Sequence, residues 1–125
     1  MAKALRRLPD GELVVMQAVW QCRIPATRAD IAQKLQPEHP MAQTTLLTLL
    51  SRLTEKDFLV VEKVGRENLY RPTVTQEDYL AAQSRRFVDQ LCGGNMSLFA
   101  SALCDSGLSK EELAQLRQLL EEGAL

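Results

Sequence analysis

The spacing of apolar residues changes twice along the chain, and this limits the folds that the sequence can adopt. Up to Lys56 apolar residues recur at helical spacing, in three segments separated by prolines and turn-forming residues. Over residues 58–71 two short β-rich runs flank Gly65, which favours a β-hairpin. Beyond Pro72 the helical spacing returns. Three helices followed by a hairpin are typical of a winged helix-turn-helix domain.

Local start and stop signals predict where these elements begin and end. The first helix is predicted over residues 10–21 and the second over 27–35, where the sequence TRAD reads as an N-cap followed by an acidic residue. Two prolines then interrupt the helical pattern before a third helix, predicted over residues 42–56. The strands of the hairpin are predicted over residues 58–64 and 68–71.

The C-terminal part is predicted to be helical, with helices starting near Thr75, Ser97 and Ser109. A region of this size with so many exposed leucines is marginal as an independent fold, so a second copy is the simplest way to cover them. We therefore predict a DNA-binding domain over residues 1–73 and a dimerisation region over 74–125. The predicted dimer contacts are Phe87, Leu91, Leu98, Phe99, Leu113, Leu116 and Leu120.

Charge is distributed unevenly between the two parts of the chain. Residues 1–75 contain 11 Lys and Arg against 8 Asp and Glu, whereas residues 76–125 contain 4 against 8. A mildly basic N-terminal part and an acidic C-terminal part are compatible with a DNA-binding head followed by a region with another role. No apolar run approaches the roughly 18 residues that cross a membrane. The sequence thus predicts a soluble, cytoplasmic protein without a membrane partner.

Residues that could support catalysis or metal binding are few and scattered. The single histidine, His39, lies beside a proline, and no Gly-rich phosphate loop or nucleophile motif is present. Cys22, Cys92 and Cys104 have the spacing of neither a disulfide framework nor a zinc site. We interpret them as small buried thiols, with redox or metal sensing as the alternative. The sequence predicts no enzymatic activity, no cofactor and no bound metal.

The third predicted helix has two contrasting faces. Its leucines fall within a sector of about 100°, the width of a core-facing stripe; they are Leu46, Leu49, Leu50 and Leu53. The opposite face carries Thr44, Thr45, Thr48, Ser51, Arg52 and Glu55. Threonine is a mediocre helix former, but its hydroxyl can hydrogen-bond phosphates or base edges and its methyl can contact thymine. The face is therefore either a DNA-reading surface or a solvated surface that happens to be rich in threonine.

Three separated motifs resemble successive signatures of the penicillinase-repressor (BlaI/MecI) family, which also includes CopY-type copper repressors. They read LPDGELVVMQAVW, TTLLTLLSRLTEKDFL and VGRENLYRPTVTQEDY. The resemblance implies a homodimeric transcriptional repressor whose winged-helix head binds half of a palindromic operator and whose helical C-terminal part dimerises. The positions that match the family's recognition helix and wing are Thr45, Thr48, Arg52, Leu53, Gly65, Arg66 and Tyr70.

The sequence also departs from the family at several positions. Ala42 stands where many relatives start the helix with serine, and Asp57 where a glycine commonly ends it. Ser101 and Ala102 stand where protease-released relatives carry an Asn-Phe bond, and the C-terminal pair of Cys-x-Cys motifs of copper-responsive relatives is missing. The resemblance consequently indicates no particular inducer or upstream sensor.

We predict a mostly α fold with a small β-hairpin, in which helix 42–56 enters the major groove and wing 58–71 clamps the flank. The partners expected are double-stranded operator DNA and a second copy of the chain. The predicted DNA-binding residues are Gln43, Thr44, Thr45, Thr48, Arg52, Lys63 and Arg66. Two alternatives remain at this point: a winged-helix module that binds another protein, and a DNA-binding activator.

Overall fold

The computed structural model describes residues 5–122, so the outermost residues of both predicted domains, 1–4 and 123–125, lie outside it. The predicted mostly helical fold with a winged head is confirmed. In chain order the elements are α1 (Asp10–Gln21), β1 (Ala26–Thr27), α2 (Arg28–Leu35), α3 (Gln43–Glu55), β2 (Leu59–Val64), β3 (Glu67–Pro72), α4 (Gln76–Leu91), α5 (Met96–Asp105) and α6 (Lys110–Glu121).

The head has a core built from one face of each of its first three helices and from the base of the wing. Val15, Met16 and Val19 of α1 are fully buried at its centre, whereas Leu13 and Trp20 are half-buried. Burying one large aliphatic side chain contributes about 1.5–3 kcal/mol. The remaining buried apolar residues of the head are Leu8, Ala18, Ala26, Ile31, Leu35, Leu46, Leu50, Leu53, Phe58, Leu59, Tyr70 and Tyr79.

The start of α2 is the capping box that the sequence predicts. The Asp30 backbone N–H donates to the Thr27 hydroxyl at 3.0 Å, and the Thr27 N–H donates to the Asp30 carboxylate at 3.0 Å. Two backbone donors that the helix itself cannot satisfy are paired in this way. The start of α2 is therefore set by local sequence alone.

The wing belongs to a three-stranded antiparallel sheet of order β1-β3-β2, not to an isolated hairpin. The sequence prediction missed β1, whose Ala26 and Thr27 pair with Tyr70 and Leu69 of β3. A two-residue strand is too short to show an alternating pattern. The hairpin loop is also tighter than predicted, because Val64 pairs directly with Glu67.

A Schellman motif ends α3. The Phe58 N–H donates to the Leu53 carbonyl at 2.9 Å and the Asp57 N–H to the Thr54 carbonyl at 3.1 Å. Asp57 adopts the left-handed conformation that this motif needs, with φ of 65°. The buried Phe58 and Leu53 side chains supply the apolar pair that commonly accompanies the motif. The departure from glycine at this position therefore leaves the cap intact.

By internal contacts the chain divides into residues 1–83 and 84–125, whereas the sequence places the domain boundary at 73. The contacts of Tyr79 with the head account for a boundary at residue 83 instead of 73. The Tyr79 ring lies 5.9 Å from the ring centroids of both Trp20 and Phe58, and its hydroxyl accepts from the Leu8 N–H at 2.9 Å. The Trp20 indole also donates to the Val74 carbonyl at 2.9 Å. The core of the head thus requires residues beyond 73.

The second unit is helical and exposes most of its apolar residues. Its helix α5 starts one residue before the predicted Ser97, because the Asn95 side chain caps it by accepting from the Ser97 N–H at 2.9 Å. The predicted start of α6 at Ser109 is confirmed, and Ser109 and Glu112 form a capping box there. None of the described residues of α5 and α6 is buried. Within residues 5–122 no helix is both long and apolar enough to cross a membrane.

Candidate nucleic-acid interface

Helix α3 turns its leucines inward and its hydroxyl-bearing side chains outward, as its sequence predicts. Leu46, Leu50 and Leu53 are at most 1% exposed, and Leu49 is half-buried at the edge of the stripe. All six residues predicted on the opposite face are exposed, namely Thr44, Thr45, Thr48, Ser51, Arg52 and Glu55, and so is Gln43 at the start of the helix. We call this exposed outer face the threonine face.

The hydroxyl of Thr48 is held in a defined orientation. It donates to the Thr44 carbonyl one turn earlier at 3.0 Å. Because a hydroxyl has one proton and two lone pairs, this bond leaves its acceptor capacity directed away from the helix. Thr48 can therefore accept a hydrogen bond from a base amino group while its methyl remains free for apolar contact.

The first turn of α3 is left without a side-chain cap. Ala42 occupies the N-cap position with φ of −64° and ψ of 150°, the extended conformation of a normal N-cap, but it has no oxygen to offer. The unpaired amides of a helix start carry a partial positive charge. The amides beside Thr44 and Thr45 are therefore open to an oxygen acceptor from outside the helix.

A groove joins the wing tip, α3 and the start of α2. Gly65 forms the first position of the tight wing turn with φ of 63°, and Arg66 follows it at the tip. Of the predicted DNA-binding residues, Arg66 lines this groove, whereas Lys63 lies elsewhere on β2. The lining residues are Thr27, Arg28, Ala29, Leu47, Arg66, Glu67, Asn68 and Tyr70.

The sequence prediction missed two residues of this groove that can contact a nucleic acid. Arg28 is the first residue of α2 and brings a second guanidinium to the groove, while Leu47 of α3 is 38% exposed although it is apolar. The pairing of β1 with β3 brings the start of α2 to the wing, and no pattern in the sequence indicates that pairing. The capping box that marks the start of α2 was the available signal for Arg28.

The cysteines do not share one environment. Cys92 is buried, as predicted, but Cys104 is exposed, so the interpretation as three buried thiols is wrong for Cys104. Cys22 is half-buried and its thiol donates to the Ala18 carbonyl at 3.3 Å. Burial, with a smaller effect of the Asp30 charge, raises the pKa of the Cys22 thiol. Among residues 5–122 no three His, Cys, Asp or Glu side chains are grouped so that they could hold a metal ion.

The residues predicted to form a dimer contact differ in exposure within the second unit. Leu91, Leu98 and Leu120 are 73%, 55% and 56% exposed. Phe87 packs against Phe99 edge to face, with ring centroids 5.8 Å apart. Leu113 and Leu116, on one face of α6, are half-buried. The described chain therefore leaves these apolar side chains incompletely covered.

Sequence comparison identifies the family. The family model described as Penicillinase repressor matches residues 8–122. The chain belongs to the penicillinase-repressor family. It is 31% identical over 121 residues to the penicillinase repressor of Bacillus licheniformis, covering 96% of this chain and 94% of that relative. It is 26% identical over 116 residues to the methicillin resistance regulatory protein MecI of Staphylococcus epidermidis, covering 92% and 94%.

Solved structures of this penicillinase-repressor family match the head. The DNA-binding domain of the repressor BlaI, solved in solution, is 29% identical with a TM-score of 0.52 and covers 63% of this chain and 94% of that domain. The monomeric form of Bacillus licheniformis BlaI, solved in complex with the blaP half-operator, is 28% identical with a TM-score of 0.50, covering 60% and 90%. The family's members are transcriptional repressors, a class of proteins that are not enzymes.

Proposed function

We propose that this protein is a homodimeric transcriptional repressor that binds operator DNA through α3 and the wing. The observation that carries the proposal is the exposed threonine face, backed by buried leucines and flanked by the Arg66-bearing wing tip. Membership of a repressor family and the likeness to a BlaI head bound to a half-operator support it. A protein that acts on the chromosome in this way would work in the cytoplasm.

The threonine face would supply sequence recognition inside the major groove. Gln43, Thr44, Thr45 and Thr48 have the donors and acceptors to contact base edges or nearby phosphates, and Arg52 would reach the backbone. Leu47 adds an exposed apolar side chain that could contact a thymine methyl group.

The wing and the groove beside it would hold the flanking backbone. Arg66 at the tip and Lys63 on β2 would contact phosphates, and Arg28 would add a contact from the start of α2. Glu67 in the same groove limits its net positive charge. We therefore assign these cations to positioning of the duplex and the threonine face to reading its sequence.

The second unit would join two copies. Its exposed Leu91, Leu98 and Leu120 are the apolar surface that a second copy would cover. Dimer contacts would also come from Phe87, Phe99, Leu113 and Leu116. A two-fold dimer predicts an operator with inverted half-sites about one helical turn or slightly more apart. Occupancy of such a site over a promoter would block the polymerase.

The test is a salt-dependent binding series on the full-length protein with a duplex selected from a random pool. Each phosphate contact contributes a slope of about 0.9 to log K against log salt. We expect Arg52→Ala and Arg66→Ala each to lower affinity and to reduce that slope by about 1.8, because a dimer loses one contact in each of its two heads. Arg117→Ala is the matched control, because Arg117 is 80% exposed on α6 and pairs with Glu121.

Two outcomes would contradict the proposal. One is that no duplex is retained even at low salt. The other is that Arg52→Ala and Arg66→Ala bind like the Arg117→Ala control, which would favour a winged-helix module that binds another protein. A footprint of direct repeats or of a single half-site would contradict the two-fold dimer.

A further inference from the structure

Glu12 is the one charged residue that is buried in the described part of the chain, with 3% of its surface exposed. It lies in the first turn of α1 and does not line the groove beside the wing. Burial of a carboxylate is costly unless the charge is paired. The carboxylate of Glu12 therefore needs a partner, and its partner comes from the recognition helix.

That partner is Lys56, the C-cap residue of α3. Its ammonium lies 2.5 Å from a Glu12 carboxylate oxygen, and its side chain is 22% exposed. The two residues are 44 positions apart, so the contact ties the last turn of α3 to the first turn of α1. A cation here also suits the negative end of the helix dipole. The ion pair is thus a directional link at the inner end of the recognition helix.

The other described contacts between α1 and α3 are apolar. Gly11 of α1 lies beside Leu49 of α3, since a Cβ built on Gly11 would be in ordinary van der Waals contact, at 3.8 Å, with both Leu49 methyl carbons. Apolar contacts of this kind are non-directional, whereas an ion pair joins two particular groups. A buried ion pair adds little net stability over a well-packed apolar pair, but it strongly favours one geometry. The main contribution of the ion pair between Glu12 and Lys56 would be to position α3.

We propose that Glu12 is a positioning residue for DNA recognition, which through Lys56 sets where α3 lies along its axis and therefore which threonine meets which base. The inference rests on the proposed function. Base contacts depend on this placement, whereas contacts to the repeating phosphate backbone tolerate small shifts. Loss of the link lowers affinity for the selected duplex more than affinity for a shuffled duplex.

The experiment compares three full-length proteins: the unmodified chain, Glu12→Gln/Lys56→Met and the matched control Lys56→Arg. The double variant removes both charges and keeps similar side-chain volumes, so it avoids leaving a buried charge unpaired. The control keeps an ion pair possible. The readout is the ratio of affinities for the selected and the shuffled duplex at one salt concentration, with the slope against salt measured in parallel.

We expect the double variant to fold cooperatively. Its ratio of affinities for the selected and the shuffled duplex should fall at least about fivefold, which is the effect of one mismatched base pair in an operator. Lys56→Arg should keep the ratio of the unmodified protein. An unchanged ratio in the folded double variant would overturn the proposal, even if the melting temperature of the variant fell. A merely structural role of the ion pair predicts lower stability with unchanged discrimination between the two duplexes. A slope reduced by about 1.8, one phosphate contact in each head of the dimer, would also overturn the proposal, since Lys56 would then be a phosphate contact.

Two further measurements keep the inference testable. If the double variant does not fold, Glu12→Gln alone must lower the ratio, and an unchanged ratio overturns the proposal. The second measurement needs no DNA: the NMR contact between the Gly11 α-protons and the Leu49 methyl groups should weaken in the double variant. Its persistence would overturn the positioning role, whereas failure of the unmodified protein to select any duplex would overturn the proposed function itself.

Discussion

Asp57 is the residue whose backbone conformation is least expected from its side chain. It adopts φ of 65° after the last turn of α3, where glycine is the usual choice. Left-handed conformation costs most L-residues roughly 1–2 kcal/mol, and aspartate tolerates it better than most. Its carbonyl also accepts a hydrogen bond from the Thr73 hydroxyl, which holds the turn from the side of the sheet. Tertiary contact thus maintains a conformation that local preference opposes.

The conformational cost at this position can be isolated by comparing two variants. Asp57→Gly should be more stable than Asp57→Ala by about 1 kcal/mol, because both lack the carboxylate and only alanine bears the strain of positive φ. The measurement is the free energy of unfolding in urea for each protein. Equal stabilities would show that the left-handed conformation costs alanine nothing here.

At the scale of the element, α3 is held unequally at its two ends. The C-terminal end carries a complete Schellman motif and the ion pair between Lys56 and Glu12. The N-terminal end begins at Ala42, which provides no cap. The N-terminal end of α3, which is proposed to enter the DNA major groove, is therefore the less constrained end. The unpaired backbone amides of its first turn can be satisfied by oxygen atoms of bound DNA.

Ala42→Ser should stabilise the free protein by about 1 kcal/mol, because Ala42 already has N-cap geometry and serine supplies the missing acceptor. Thermal unfolding of the unbound protein checks this expectation. Ala42→Val is the control, since valine adds volume without an oxygen and should not stabilise. A serine variant no more stable than the valine variant would mean that the first-turn amides are satisfied in another way.

At the scale of the whole molecule, the division of the chain determines which fragment can act alone. The head extends to Gln83, whose side-chain amide donates to the Leu5 carbonyl at 3.0 Å. Tyr79, only 2% exposed, completes its core. A fragment that ends at Pro72 would lack this ring and would leave the Leu8 N–H without its partner.

A fragment of residues 1–83 should fold, whereas a fragment of residues 1–72 should be less stable by at least about 3 kcal/mol, the cost of losing a buried aromatic side chain. Urea unfolding of the two fragments measures this difference. The longer fragment should bind the full operator about a hundredfold or more weakly than the whole chain, because its two heads are no longer linked. Equal affinity would show that the second unit does not join the heads.

Signals carried by neighbouring residues were sufficient to predict most elements and the outer face of the candidate site. The capping boxes at Thr27 and Ser109 start their helices where expected, and the leucine spacing of α3 correctly placed its threonines outside. Helix caps and amphipathic spacing act over a few residues, so one sequence displays them. The roles of individual residues in DNA binding and dimerisation remain predictions.

The remaining features depend on residues that are distant in the chain. The pairing of β1 with β3 brings Arg28 to the wing, Tyr79 closes the head 71 positions after Leu8, and Lys56 meets Glu12. A short strand, a single tyrosine or one buried glutamate has no periodic pattern by which a sequence reveals its partner. Short-range preference therefore decided which helices form and which faces they bury, whereas packing across the folded head decided which residue pairs with Glu12, what surrounds the wing and how far the head extends.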